Sequence, residues 1–126
     1  MKQNAIGWFD IYVTDMSRAV TFYQTVLHCE LGVIEDPTDS GALMKSFTAD
    51  MSVYGAGGAL VQRDGAQPGP GGTMVYFGSE DCAIEESRVK AAGGRVLSPK
   101  FSIGDYGFVS ICMDTEGNTF GLSSMK

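Results

Sequence analysis

The stretch from Trp8 to Tyr23 constrains the fold more than any other part of the chain. Phe9, Ile11 and Val13 alternate with Trp8, Asp10 and Tyr12, the period of two that marks a half-buried strand. The pattern breaks at Thr14-Asp15. Beyond it Val20, Tyr23, Val26 and Leu27 recur at helical spacing, and Ala19 with Phe22 widens the apolar stripe. Asp15 stands where an N-cap is needed, because its carboxylate can accept free N–H groups of the first turn and complements the positive helix end. A strand that feeds straight into a helix must lay that helix over one of its own faces. The other face, with Trp8, Asp10 and Tyr12, is left to look elsewhere.

The spacing predicts a strand over 7–14 and a helix over 16–28, closed by His28-Cys29. Further strands are expected at 30–34, 42–48 and 59–62, separated by a turn at 36–41 and a glycine loop at 55–58. Residues 64–71 are dominated by Pro and Gly and read as a linker. The pattern then starts again, with a strand at 73–77, a helix at 82–92 and a left-handed glycine C-cap at Gly93-Gly94. Strands follow at 95–97, 107–113 and 119–123, with Pro99 expected at an edge or bulge and a tight turn at 114–118. Asp15 and Asp81 hold equivalent places at the two helix starts.

The chain therefore reads as one domain of two strand–helix–strand–strand–strand modules, about 1–63 and 72–126. One helix cannot cover both faces of a four-stranded sheet. Two such units side by side curl into an open cup with helices outside, an α+β class with a mostly antiparallel sheet. A length of 126 residues suits a single unit with a real core. The formal charge of −6 disfavours nucleic acid and anionic membranes as partners and mildly favours cationic ligands. No apolar run reaches spanning length and the N-terminus lacks a signal-peptide pattern, so a cytoplasmic location is expected. Cys29, Cys82 and Cys112 form no CxxC pair and imply neither a disulfide framework nor a zinc knuckle.

Four features stand in a fixed order and spacing: the opening strand joined to residues 13–23, the mid-chain Gly/Pro linker, the helix end Ala91-Ala92-Gly93-Gly94, and residues 113–118 followed by a strand. Together they resemble the vicinal oxygen chelate superfamily of glyoxalase I, extradiol dioxygenases, and fosfomycin and bleomycin resistance proteins. The resemblance covers essentially the whole chain. It implies a cup that in the metal enzymes holds a divalent ion on His, Gln or Glu from four places. Carried onto this chain, those places are Trp8, the neighbourhood of Ala59, Met74 or Thr73, and Gly121. None is a ligand suited to a hard or borderline cation. The chain has one histidine, His28, at a helix end. The resemblance thus points to a branch without the metal ligands, with no cofactor expected and no catalytic residue assigned. It also implies a homodimer.

By alternation Met74 and Tyr76 share the face that corresponds to Trp8, Asp10 and Tyr12, and Thr119, Gly121 and Ser123 do so on the last strand. That lining suits a flat organic molecule. Asp10 is its single charge, either an anchor for a cationic group or an acid satisfied by Arg63, Lys45 or a tyrosine hydroxyl. Asp105 and Tyr106, in the glycine-flanked segment 103–107, form a second candidate at the mouth of the cup. The expected function is binding of a small planar or cationic molecule in a metal-free cavity. The alternatives are a glyoxalase-like lyase, isomerase or dioxygenase, and an interaction protein whose cup is filled by its own side chains.

Overall fold

The computed structural model describes residues 6, 8–34, 41–50, 52–71 and 74–126. Among them the chain runs β1 (Trp8–Tyr12), α1 (Met16–Leu27), β2 (Gly32–Val33), β3 (Leu43–Ser46), β4 (Gly57–Gln62), then β5 (Tyr76–Gly78), α2 (Cys82–Val89), β6 (Arg95–Ser102), a 3-10 turn (Gly104–Tyr106), β7 (Phe108–Met113) and β8 (Thr119–Ser124). Most of the turn expected at 36–41 lies outside the described residues, as does Thr73.

Both helices start where the acids predict. Asp15 is the N-cap of α1 and accepts from the Arg18 N–H at 3.1 Å. Asp81 caps α2 and accepts from the Ala83 N–H at 3.1 Å. The ends differ more. Helix α2 stops at Val89 instead of reaching Ala92, because the chain turns through Lys90 to Gly93, where Gly93 takes φ 100°. Gly94 is needed for close approach, since a β-carbon there would collide with the Met113 carbonyl and the Phe22 ring. Strand β6 runs straight through Pro99 to Ser102. It is an edge strand with irregular register against β7, so the missing proline N–H costs no inner ladder bond.

The strands form two four-stranded sheets, ordered β1-β4-β3-β2 and β5-β8-β7-β6. In each, the first strand pairs in parallel with the last of its module, β1 with β4 and β5 with β8, and the remaining pairs are antiparallel. Trp8 lies opposite Gly57, Asp10 opposite Ala59 and Tyr12 opposite Val61. Tyr76 lies opposite Gly121. The element order and mixed sheets are those of the α+β layout expected from the sequence.

The other faces of β1 and β5 meet in a seam of aromatic rings. Phe9, Phe22, Tyr23 and Phe47 from the first half pack with Phe77 and Phe120 from the second, with paired centroids 5.0–6.0 Å apart. One buried cluster, containing Ile11, Phe22, Val26, Leu60, Val89 and Leu122, runs through both halves. Edge-to-face and tilted contacts of this kind add to the gain from area burial alone.

A second tie is polar. The turn after β7 reaches across to the break between β1 and α1. There the Glu116 carboxylate accepts from the backbone N–H groups of Thr14 (2.9 Å) and Asp15 (3.0 Å) and from Arg18 Nε (2.7 Å). Asp114 holds the turn by accepting from the N–H groups of Glu116 and Asn118, both at 2.8 Å. It also accepts from the buried Tyr23 hydroxyl at 2.7 Å. Burial and the Asp114 carboxylate push the Tyr23 phenol well above its usual pKa, so it remains a donor.

Burial alone would raise the Glu116 pKa. The hydrogen bonds from Arg18, Asp15, Thr14 and Thr115 outweigh it and hold the value at about 2, against 4.5 for a free glutamate. The folded carboxyl thus binds its proton less readily than the unfolded one. Its contribution is complete above pH 4.5 and is lost as the pH falls towards about 2. At about 1.4 kcal/mol per pKa unit this is worth about 3 kcal/mol. Urea unfolding of Glu116→Gln should show that loss at pH 7, and the gap to the native protein should close as both approach pH 2.

Candidate functional site

Strand β1 delivers its side chains as the alternation predicts: Trp8 and Asp10 are exposed and Tyr12 half-buried, while Ile11 is buried on the other side. Next to them lie Met74, Val75 and Tyr76 at the start of β5. The two strands form the floor of a half-enclosed cavity of about 800 Å³. Trp8, Asp10, Tyr12, Met74 and Tyr76, five of the seven residues proposed from sequence, all line it. The volume lies within the range of about 300–1,000 Å³ usual for small-molecule sites.

Asp10 is not satisfied by Arg63, Lys45 or a tyrosine. Its Oδ1 accepts from the Trp8 indole N–H at 3.0 Å, its one hydrogen bond among the described residues. Arg63 goes instead to Tyr12, with Nη2 donating to the phenolic oxygen at 3.2 Å. Lys45 pairs in register with Leu60 and faces α1, on the opposite side of the sheet from Asp10. Asp10 therefore stands exposed among aromatic rings, its carboxyl group oriented by one indole.

Two glycines shape the walls. The Trp8 ring lies over Gly57, where a β-carbon would come 3.2 Å from Cζ3. The Tyr76 ring covers Gly121 so closely that a β-carbon there would fall against its Cδ2 and Cε2 atoms. These two spots bear on the metal that the resemblance implies. Trp8 and Met74 offer an indole and a thioether. Ala59 and its neighbour Gly57 offer no side-chain donor, and Gly121 lies beneath a phenol ring. Thr73 is outside the described residues. The side chains described at those places bring no carboxylate or imidazole, and Asp10 is the one carboxylate in the lining, so the described residues do not fit a hard or borderline divalent cation.

Asp105 and Tyr106 do not line this cavity. They lie in the 3-10 turn between β6 and β7, and Tyr106 is 83% exposed. That turn packs beside Ser124, through Gly107 and the Phe108–Ser124 pair. The cavity touches β8 at Thr119, the other end of the same strand, roughly 17 Å away at about 3.4 Å per residue. The glycines of this segment report where the chain bends but not where the bend lies, so the position expected at the mouth of the cup does not hold. His28 ends α1 in the left-handed conformation (φ 50°), exposed and away from the cavity. Cys82 and Cys112 are buried in the core.

Sequence reasoning missed Gln67 and Asn118, which also line the cavity. Gln67 lies in the segment read as a spacer, and Asn118 in the turn before β8. The Asn118 Nδ2 donates to the Tyr12 carbonyl at 2.9 Å and to Asp114 Oδ2 at 3.1 Å, while its Oδ1 accepts from the Gly69 N–H at 2.8 Å. A carboxamide after the glycine of a tight turn was the available signal. Its partners, far away in sequence, were not.

A family model for the Glyoxalase/Bleomycin resistance protein/Dioxygenase superfamily matches residues 5–122. The chain is 29% identical over 122 residues to CFP32 of Mycobacterium bovis, a protein provisionally assigned as a glyoxylase; the match covers 96% of this chain and 46% of that one. The chain thus spans about half the length of the curated relatives it matches. Among solved structures, glyoxalase I from Zea mays superposes with a TM-score of 0.72 at 16% identity, over 93% of this chain and 43% of that one. TnmS3, an antibiotic binding protein from Streptomyces sp. CB03234, superposes with a TM-score of 0.67 at 23% identity, over 98% of both chains.

The two buried glycine contacts predict unequal costs. Gly58→Ala would drive a methyl into the Phe9 ring, which is held between Phe47 and Phe77 and has nowhere to go. It should cost about 2–3 kcal/mol. Gly121→Ala meets Tyr76, which is half exposed and can swing away, so it should cost about 1 kcal/mol or less while reshaping the cavity. Denaturant unfolding of the two variants checks the order.

Proposed function

Because this chain belongs to the Glyoxalase/Bleomycin resistance protein/Dioxygenase superfamily, we propose that it uses the fold's cavity, without a metal ion, to bind a small planar cationic molecule. The observation that carries this reading is the meeting of Trp8, Asp10, Tyr12, Met74 and Tyr76 around one half-enclosed space. Trp8, Tyr12 and Tyr76 supply rings against which a flat ligand can stack, and their negative faces favour a cation. Asp10 supplies the counter-charge. The net charge of −6 draws cations towards the protein. The fold shared with an antibiotic binding protein is in keeping with this function.

A homodimer is part of the proposal. Trp8 and Tyr76 are 46% and 50% exposed, so the cavity has an open side that a second copy could cover. Relatives about twice as long are in keeping with a paired arrangement. The free thiols of Cys29, Cys82 and Cys112 suit a reducing compartment, which supports a cytoplasmic location. A second reading, a glyoxalase-like lyase, isomerase or dioxygenase, is favoured by the kinship with CFP32. It lacks support from the donor groups around the cavity. About one tightly held Ni, Zn, Fe or Mn per purified chain would reverse the preference.

Thermal unfolding with thioflavin T or ethidium, both planar cations, tests the main reading against an anionic naphthalene sulfonate dye. A cation present at 100 times its dissociation constant should add about 2.7 kcal/mol. Trp8→Ala should abolish the shift, and Asp10→Asn should reduce it for the cations alone. No shift with either cation, or a larger one with the anion, would overturn the proposal. Sedimentation velocity should find a dimer.

A further inference from the structure

We propose that residues 64–71, in the segment joining the two halves, form a movable wall of the cavity, held shut by the hydrogen bond from the Gly69 N–H to the Asn118 carboxamide. The inference rests on the reading of the cavity as a ligand site and adds how that site opens. Gln67, Gly69 and Gly71 on this segment line the cavity opposite the aromatic floor. Over 67–71 the sequence is Gln-Pro-Gly-Pro-Gly, so only Gln67, Gly69 and Gly71 have N–H groups. The prolines stiffen the piece between them.

Gly65 and Gly71 bracket that piece with φ 83° and 105°. A β-carbon at either would meet nothing within 4 Å, so neither glycine is there to admit a neighbour. Both supply backbone freedom, as the two ends of a swinging segment must. Among the described residues, Gly69 to Asn118 (2.8 Å) is the one hydrogen bond from residues 64–71 to the rest of the protein; the Ala66 N–H turns back to the Arg63 carbonyl at 3.4 Å. At the hinge end, Arg63 is fastened to Tyr12.

The acceptor, by contrast, is fixed. The Asn118 Nδ2 is held by the Tyr12 carbonyl and by Asp114, which leaves Oδ1 aimed at Gly69. A stiff piece between two pivots, fastened by one exposed bond to an immobile acceptor, can open without disturbing the core. Gln67 is the polar side chain that this wall carries to a bound molecule.

Gly69→Pro deletes the N–H and leaves Asn118 in place. Gly69→Ala keeps the N–H and is the control, since a β-carbon at Gly69 meets nothing within 4 Å. Stopped-flow release of thioflavin T should be about fivefold faster in Gly69→Pro than in the native protein, the worth of one exposed hydrogen bond. Gly69→Ala should match the native protein, and Gly69→Pro should keep the native fold by circular dichroism. In the free protein the Gly69 amide should exchange with solvent far faster than amides of β7 and β8, and bound thioflavin T should slow it. Equal release rates, or a Gly69 amide that exchanges only with global unfolding, would overturn the wall. If thioflavin T does not bind at all, the function proposed above fails, while amide exchange in the free protein still decides whether the wall opens.

Discussion

The Glu116 carboxylate, at the turn after β7, closes a gap in backbone hydrogen bonding that the first half of the chain cannot close itself. A strand that turns into a helix within three residues leaves backbone N–H groups with no partner in either element. At the break between β1 and α1, the first half of the chain satisfies two such groups itself. Asp15 accepts from the Arg18 N–H, and Gln62 accepts from the Met16 N–H at 2.9 Å. The N–H groups of Thr14 and Asp15 are satisfied by Glu116, about 100 residues later. The first module is therefore completed by a turn of the second, and the end of β1 is tied to the turn between β7 and β8.

That fixing gives the residues that dock the two modules a different task from most of those that line the cavity. Tyr23 and Asp15 from the first motif, and Asp114, Glu116 and Asn118 from the second, meet in one hydrogen-bonded knot. The knot sets the angle between the modules, together with the six-ring seam beneath it. The cavity is then whatever the outward faces of β1 and β5 place around the space above the seam. Here they place an indole, a carboxylate, two phenols and a thioether. Gly57 and Gly121 let the Trp8 and Tyr76 rings lie against the sheet. The same fold with carboxylates and imidazoles at those places would be a metal site. Chemistry and architecture are set by different residues of the same strands.

Asn118 belongs to both. It is a member of the knot through Asp114 and Tyr12, and it touches the wall of the cavity through Gly69. Geometry built to hold the halves together is thereby transmitted to the one part of the cavity made of irregular chain. The short segment hangs between β4 and β5, which are anchored in the two sheets, and the bond from Gly69 to Asn118 is what holds it against the cavity.

Local pattern in the sequence determined most of the fold. The alternation at 8–13 set which face of β1 is buried, Asp15 and Asp81 set the helix starts, and the recurrence of the element order set two similar modules. These are short-range effects of sterics and hydrogen bonding, visible within a few residues. The same alternation placed Trp8, Asp10, Tyr12, Met74 and Tyr76 on a common face. What lay beyond sequence was every contact between distant segments. Local pattern could not show that Arg63 turns to Tyr12, nor that Tyr76 lies on Gly121. It could not show that the loop at 103–107 falls at the far end of β8. Tertiary structure decided these because strand register and module docking choose partners by packing and burial, and those are properties of two surfaces brought together, not of either stretch of chain alone.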